Sequence, residues 1–79
     1  MEIEYGKRPL AVIQKHLNQI IKVTLKNDTS YEGKMVDCDN YMNLVIEKAV
    51  EYHGNDKKAG YASVLIRGNN ILYIQFPSQ

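Results

Sequence analysis

From Ile20 onward the chain alternates. Ile21, Val23 and Leu25 are separated by Lys22, Thr24 and Lys26, the two-residue period of a strand with one face in a core and one in water. Ahead of it the period is helical. Leu10, Ile13 and Leu17 fall on one side and Gln14, Lys15 and Asn18 on the other, which predicts a short amphipathic helix over 9–18 with Pro9 in its first turn, where a missing N–H costs nothing. Asn27-Asp28 is a tight-turn signal, and the Asn27-Asp28-Thr29 sequon is read as that turn. A second strand is expected over 29–38, with Tyr31, Gly33 and Met35 on one side. A glycine inside a strand marks a sharp bend or a close backbone approach. Further strands are expected over 41–52, 61–66 and 71–76. A polar loop over 53–58 separates the first two of these, and Arg67-Gly68-Asn69-Asn70 separates the last two. Residues 1–8 are expected to be a flexible lead and 9–79 a single domain.

One N-terminal α-helix followed by five strands in so short a chain predicts a mainly β protein, a small, strongly bent antiparallel barrel. Val64-Leu65-Ile66 and Ile71-Leu72-Tyr73-Ile74 are apolar on both faces. Strands of that kind are covered on both sides, or are edges of an incompletely closed barrel that invite pairing. The economical solution is that each copy pairs with the next, and such a contact builds a ring if its rotation closes. Size argues the same way, because a chain of 79 residues buries only about 60–65% of the surface its unfolded form exposes and needs outside support. With one cysteine, Cys38, there is no internal disulfide, and His16 and His53 lack the neighbours of a zinc site. No metal or cofactor is expected. The charged start MEIEYGKRP is not a signal peptide, and no run approaches the roughly 18 apolar residues of a membrane span. These features, with a lone reduced thiol, point to a cytoplasmic protein. Ten Lys+Arg against nine Asp+Glu leave a net charge of +1, so nucleic-acid contact would have to come from a local site and not from a basic face.

Two segments offer such a site. In DCDNYMNLVI (37–46), acids and amides crowd the entry to an apolar strand, and IRGNNI (66–71) fills a tight link. In a small barrel both can emerge at one end, offering an aromatic ring, a guanidinium plane, amides and a carboxylate. Those are the parts that hold one unstacked base. Tyr41 and Arg67 can sandwich its face, and Asn43 can donate to a base carbonyl while accepting from an imino N–H. Uracil presents that pattern; against cytosine, preference depends on which way the amide is held. Asp39 would fix the loop, and Gly68 would permit a turn or close approach. Plainer readings stand beside these: Tyr41 as a packing residue, Asn43 as an edge amide, Arg67 as an ion-pair partner of Asp39 or Asp37. Two carboxylates flanking Cys38 in sequence would disfavour its thiolate and hence a nucleophile, and no residue set supports an enzyme. His53 and Lys57-Lys58 read as solvated. Arg8 and Pro9, at the helix entrance, are candidates for a secondary RNA contact.

Asp39-Asn40-Tyr41-Met42-Asn43-Leu44-Val45-Ile46, preceded by Gly33, and Ile66-Arg67-Gly68-Asn69-Asn70-Ile71 resemble the two signature segments of the Sm and Sm-like (Lsm) RNA-binding family. Helix, strands and motif order agree with the family from about Pro9 to Phe76. The resemblance implies an Sm fold, an SH3-like small barrel. It also implies a ring of identical subunits, commonly seven in archaeal members, in which the fourth predicted strand of one copy pairs with the fifth of the next. It further implies binding of single-stranded U-rich RNA at the pore, one nucleotide per subunit, in RNA processing or chaperoning. The base would stack between Tyr41 and Arg67 and be read by Asn43, with Asn69 nearby. Asn69 departs from the aspartate often found there. The bacterial branch carries Lys-His where this chain has Arg67-Gly68, which excludes it. Without long basic or Arg-Gly tails, the chain looks more like an archaeal Sm-like protein than a spliceosomal subunit. A different class of function stays open: a ring-forming scaffold for other RNA-processing proteins, with incidental RNA contact.

Overall fold

In the computed structural model, residues 2–4 and 10–76 are described, the first three by their backbone alone. The elements are β1 (Glu2–Glu4), α1 (Leu10–Gln14), β2 (Ile20–Leu25), β3 (Thr29–Cys38), β4 (Leu44–His53), β5 (Asp56–Ile66), a 3-10 turn (Gly68–Asn70) and β6 (Ile71–Gln75). All strand pairs are antiparallel, in the order β1-β6-β2-β3-β4-β5. The five expected strands are present as one bent sheet.

The bend has a local cause. A Cβ on Gly33 would lie 2.7 Å from the Glu47 carbonyl oxygen and 2.7 Å from Ile46 Cγ2, so β4 crosses β3 where only glycine leaves room. The register slips there, between Glu32 and Lys34, and Lys48 opposite takes a left-handed φ of 52°. A second slip between Met35 and Asp37 places the extra residue, Val36, on β3. Bulges of this kind bend a strand and increase its twist. They let the sheet wrap a core that includes Ile21, Val23, Met35, Leu44, Ile46 and Ile74, each at most 2% exposed, with Ile13 of α1 set into it.

Three expectations are corrected. The helix ends at Gln14 and not Asn18. Beyond it the chain tightens into i→i−3 bonds from His16 to Ile13 and from Leu17 to Gln14, and Asn18 (φ 67°) leaves in the left-handed conformation that ends many helices. The polar loop over 53–58 is a tight hairpin: His53 pairs with Asp56 around Gly54-Asn55, and Gly54 takes a φ of 63°. Tyr41 and Met42 do not open a strand but lie in the loop before β4. Within the stretch expected as a lead, Glu2–Glu4 pairs with the outer edge of β6, an edge whose free backbone groups any short extended segment can satisfy. Arg8 and Pro9 lie outside the described residues.

Val64-Leu65-Ile66 and Ile71-Leu72 are not covered on both sides within one chain. Leu65 is 67% and Leu72 46% exposed, and among the described residues β5 pairs with β4 alone, so its outer edge is bare of them.

Candidate RNA-binding site

Asp39, Tyr41 and Asn43 share one loop, organised by a single carboxylate. Asp39 Oδ1 accepts from the backbone N–H of Tyr41 (2.8 Å) and of Asn43 (2.9 Å), and Oδ2 accepts from Asn43 Nδ2 (3.0 Å). The backbone closes on itself as well, with Met42 N–H donating to Asp39 O and Asp39 N–H to Asn43 O. That closure requires Met42 to hold a φ of 65°, a conformation uncommon for a side chain of its size and retained only where the surroundings enforce it. They do so here through the apolar core, against which Met42 packs. The clustered acids and amides before the strand are therefore a loop lock.

The second segment joins this lock directly. Gly68 N–H donates to Asn43 Oδ1 at 2.9 Å across 25 residues of sequence. Gly68 is buried and opens the 3-10 turn, a right-handed conformation; of the two roles expected for it, a turn or a close approach, it is the docking onto Asn43 that the geometry displays. Asn70 N–H donates back to Arg67 O, and Lys26 N–H donates to Asn70 O, tying the link to the β2–β3 turn. Arg67, Asn69 and Tyr41 are exposed, Tyr41 at 82%. Among the described residues no ion pair joins Arg67 to Asp39 or Asp37.

Asn43 thus has a determined orientation. The atom facing the Gly68 N–H must be oxygen and the one facing the Asp39 carboxylate must be nitrogen. One amide N–H and one carbonyl lone pair remain uncommitted. The charged form of Asp39 collects the donors from Asn43 and Tyr41, which hold its carboxyl below the ordinary aspartate value. A carboxyl depressed in the fold lends its stabilisation above its unfolded-state value and loses it as pH falls through the folded one. The Asn43 side-chain amide resonance should accordingly stay at its neutral-pH position through the ordinary carboxylate range and shift only in stronger acid. A midpoint at the ordinary aspartate value would show the lock to be absent in solution.

Sequence reasoning missed a second cluster. Glu51 accepts from Tyr61 OH (3.0 Å) and Tyr31 OH (3.3 Å) through Oε1, and its Oε2 lies 2.6 Å from His53 Nε2. His53 is consequently an ion-pair partner when protonated and not a purely solvated residue. Strand alternation puts Tyr31 opposite Glu51 and sets His53 two residues along β4 on the same face, but only the long β4–β5 hairpin, hidden by its polar residues, brings Tyr61 alongside. No group of three or more His, Cys, Asp or Glu among the described residues can hold a metal ion, and no helix among them is long and apolar enough to cross a membrane.

A family model described as LSM domain matches residues 11–76. The chain belongs to the LSM domain family. Its sequence is similar to the U6 snRNA-associated Sm-like protein LSm6 of Pyricularia oryzae, 35% identical over 69 residues that span 87% of this chain and 83% of that one. Its fold is similar to the Pyrococcus abyssii Sm protein solved in complex with a uridine heptamer, at a TM-score of 0.83 and 30% identity, covering 90% of this chain and 100% of the other. It also resembles a heptameric archaeal Sm protein at a TM-score of 0.75 and 26% identity, covering 86% and 98%. The LSM match spans both segments that form the lock, so Asp39, Asn43 and Gly68 all lie within the family's domain.

Proposed function

We propose that this chain forms a ring of identical subunits, seven to a ring, that holds single-stranded U-rich RNA at its pore in RNA processing or chaperoning. Each subunit takes one nucleotide. The observation that carries the reading is the bond from Gly68 N–H to Asn43 Oδ1, which docks the two signature segments into one surface. Tyr41 and Arg67 clasp the base from its two faces. Asn43 spends its remaining N–H on uracil O4 and its remaining lone pair on the N3 imino hydrogen. Cytosine reverses both groups, and the amide, held at each end, cannot flip to suit it. Asn69 adds a polar contact at the rim, while Asp39 positions Asn43 and Tyr41 without touching the base.

Ring closure uses the bare edge of β5 and the edge of β6, and it buries Leu65 and Leu72. The seven-membered archaeal relative and the seven-uridine ligand of another support one nucleotide per subunit. With a net charge of only +1, affinity rests on stacking and amide pairing repeated around the ring, so its salt dependence is shallow for a nucleic-acid binder.

Titration with oligo-U and oligo-C seven-mers at several salt concentrations tests the proposal. Tight binding of U over C is expected. Tyr41→Ala should weaken U binding by at least tenfold, since each lost stack is worth about 1–3 kcal/mol, with the fold and ring intact by native mass. An absence of saturable binding by an intact ring would instead make the protein a scaffold.

A further inference from the structure

The two strands that ring closure would join are not equally available. Among the described residues, nothing pairs with the outer edge of β5 along its eleven residues, Asp56–Ile66. β6 has β2 on one side and β1 on the other, with Glu2 opposite Gln75, Ile3 opposite Ile74 and Glu4 opposite Tyr73. A strand has two edges, and both are taken along Tyr73–Gln75. A neighbour's β5 cannot pair there until β1 leaves, because each outward N–H and C=O of β6 enters one ladder at a time.

We infer that β1 is a displaceable cap on the assembly edge of β6, so that the chain has a closed, self-paired state and an open state that joins the ring. The inference rests on ring formation through β5 and β6 as proposed above, and adds its regulation. The cap is built to yield. It has three residues, two of them glutamates, a type depleted in strands, and it leaves Ile71 and Leu72 outside its register. It nevertheless competes well at low protein concentration, because a segment tethered by 5–9 sits at an effective concentration of order millimolar, far above a free neighbour. A neighbour's β5 wins by offering a longer ladder and cover for the exposed Leu65 and Leu72. RNA tips the balance further: a strand that spans adjacent base clefts holds neighbours together and favours the open state by mass action. The cap also blunts a bare edge against unregulated pairing.

The experiment compares the full chain, a form lacking residues 2–5, and Ile3→Pro, which removes a backbone donor and constrains φ. Native mass and sedimentation across a concentration series give the half-assembly point, and circular dichroism checks the fold. Both altered chains should assemble at about tenfold lower concentration than the full chain, the margin expected from removing a tethered competitor. They should bind oligo-U as well once assembled. In a second arm, Glu2→Cys with Gln75→Cys places a disulfide across the opposed pair. The oxidised chain should stay single and the reduced chain should form rings. Equal half-assembly points, or rings from the oxidised chain, would overturn the cap and leave the ring standing. If no form associates at any concentration, with or without oligo-U, the ring itself is wrong and the cap falls with it.

Discussion

Asn43→Ala should abolish measurable oligo-U selectivity and also destabilise the chain, by about 1–3 kcal/mol for one buried donor left unsatisfied. The two effects share a cause. Asn43 Oδ1 receives the N–H of buried Gly68, and Asn43 Nδ2 reaches Asp39. Removing the amide strands the Gly68 N–H away from water and loosens Asp39, whose carboxylate keeps only its bonds to the Tyr41 and Asn43 backbone beside the loop's own backbone closure. Asn43→Asp separates the roles. It retains an acceptor for Gly68 but sets a second carboxylate beside Asp39 and withdraws the amide N–H proposed above to meet uracil O4. Binding should fall at least as far as in Asn43→Ala, and stability should recover as pH drops and one carboxyl gains a proton. Thermal unfolding at two pH values, together with oligo-U titration, checks both. Unchanged U-over-C preference in either variant would remove Asn43 from the role of base reader.

Gly33→Ala is expected to have the largest effect on stability. The added methyl would stand 2.7 Å from the Glu47 carbonyl and 3.1 Å from the Ala49 Cα, both backbone atoms of β4 that no rotamer change can move. Overpacking costs about 1–3 kcal/mol in well-packed sites, and more where backbone must shift. Here the shift acts on the crossing that bends the whole sheet. Urea denaturation should show a midpoint lowered by a large fraction of the total stability, and rings should dissociate at correspondingly higher protein concentration. A midpoint within error of the parent would mean that β3 and β4 do not approach this closely in solution.

The strand phases were legible because alternation over Ile21–Leu25 and around Met35 and Ile46 states which face is buried. Gly33 was legible for a related reason: a residue with no side chain to pack weakens a strand, and it stands there because another backbone comes too close for a Cβ. Met42 misled. Its spacing continues the Leu44 and Ile46 face, yet it reaches the core from a left-handed loop, and periodicity cannot distinguish the two routes. The β4–β5 hairpin was hidden because His53, Asp56, Lys57 and Lys58 are all exposed and leave no apolar trace of pairing. β1 carried even less signal, since three residues are too few to show a period. Within the site, residue types pointed to Asp39, Tyr41, Asn43 and Arg67, but the joining bond between positions 43 and 68 is a fact of tertiary structure that neither segment announces alone.

The paired bulges of β3 and β4 have one more consequence. The first adds a residue to β4, near Lys48; the second adds one to β3, at Val36, and the strands leave the bend in the phase with which they entered it. Val36, the residue with no partner on β4, matters less for its side chain than for the bend its presence gives β3. Excising that one residue would leave Met35, Asp37 and Cys38 opposite Ile46, Val45 and Leu44 in an unbroken ladder, so Cys38 would keep its face while β3 lost the bend and added twist that aim the Asp39 loop.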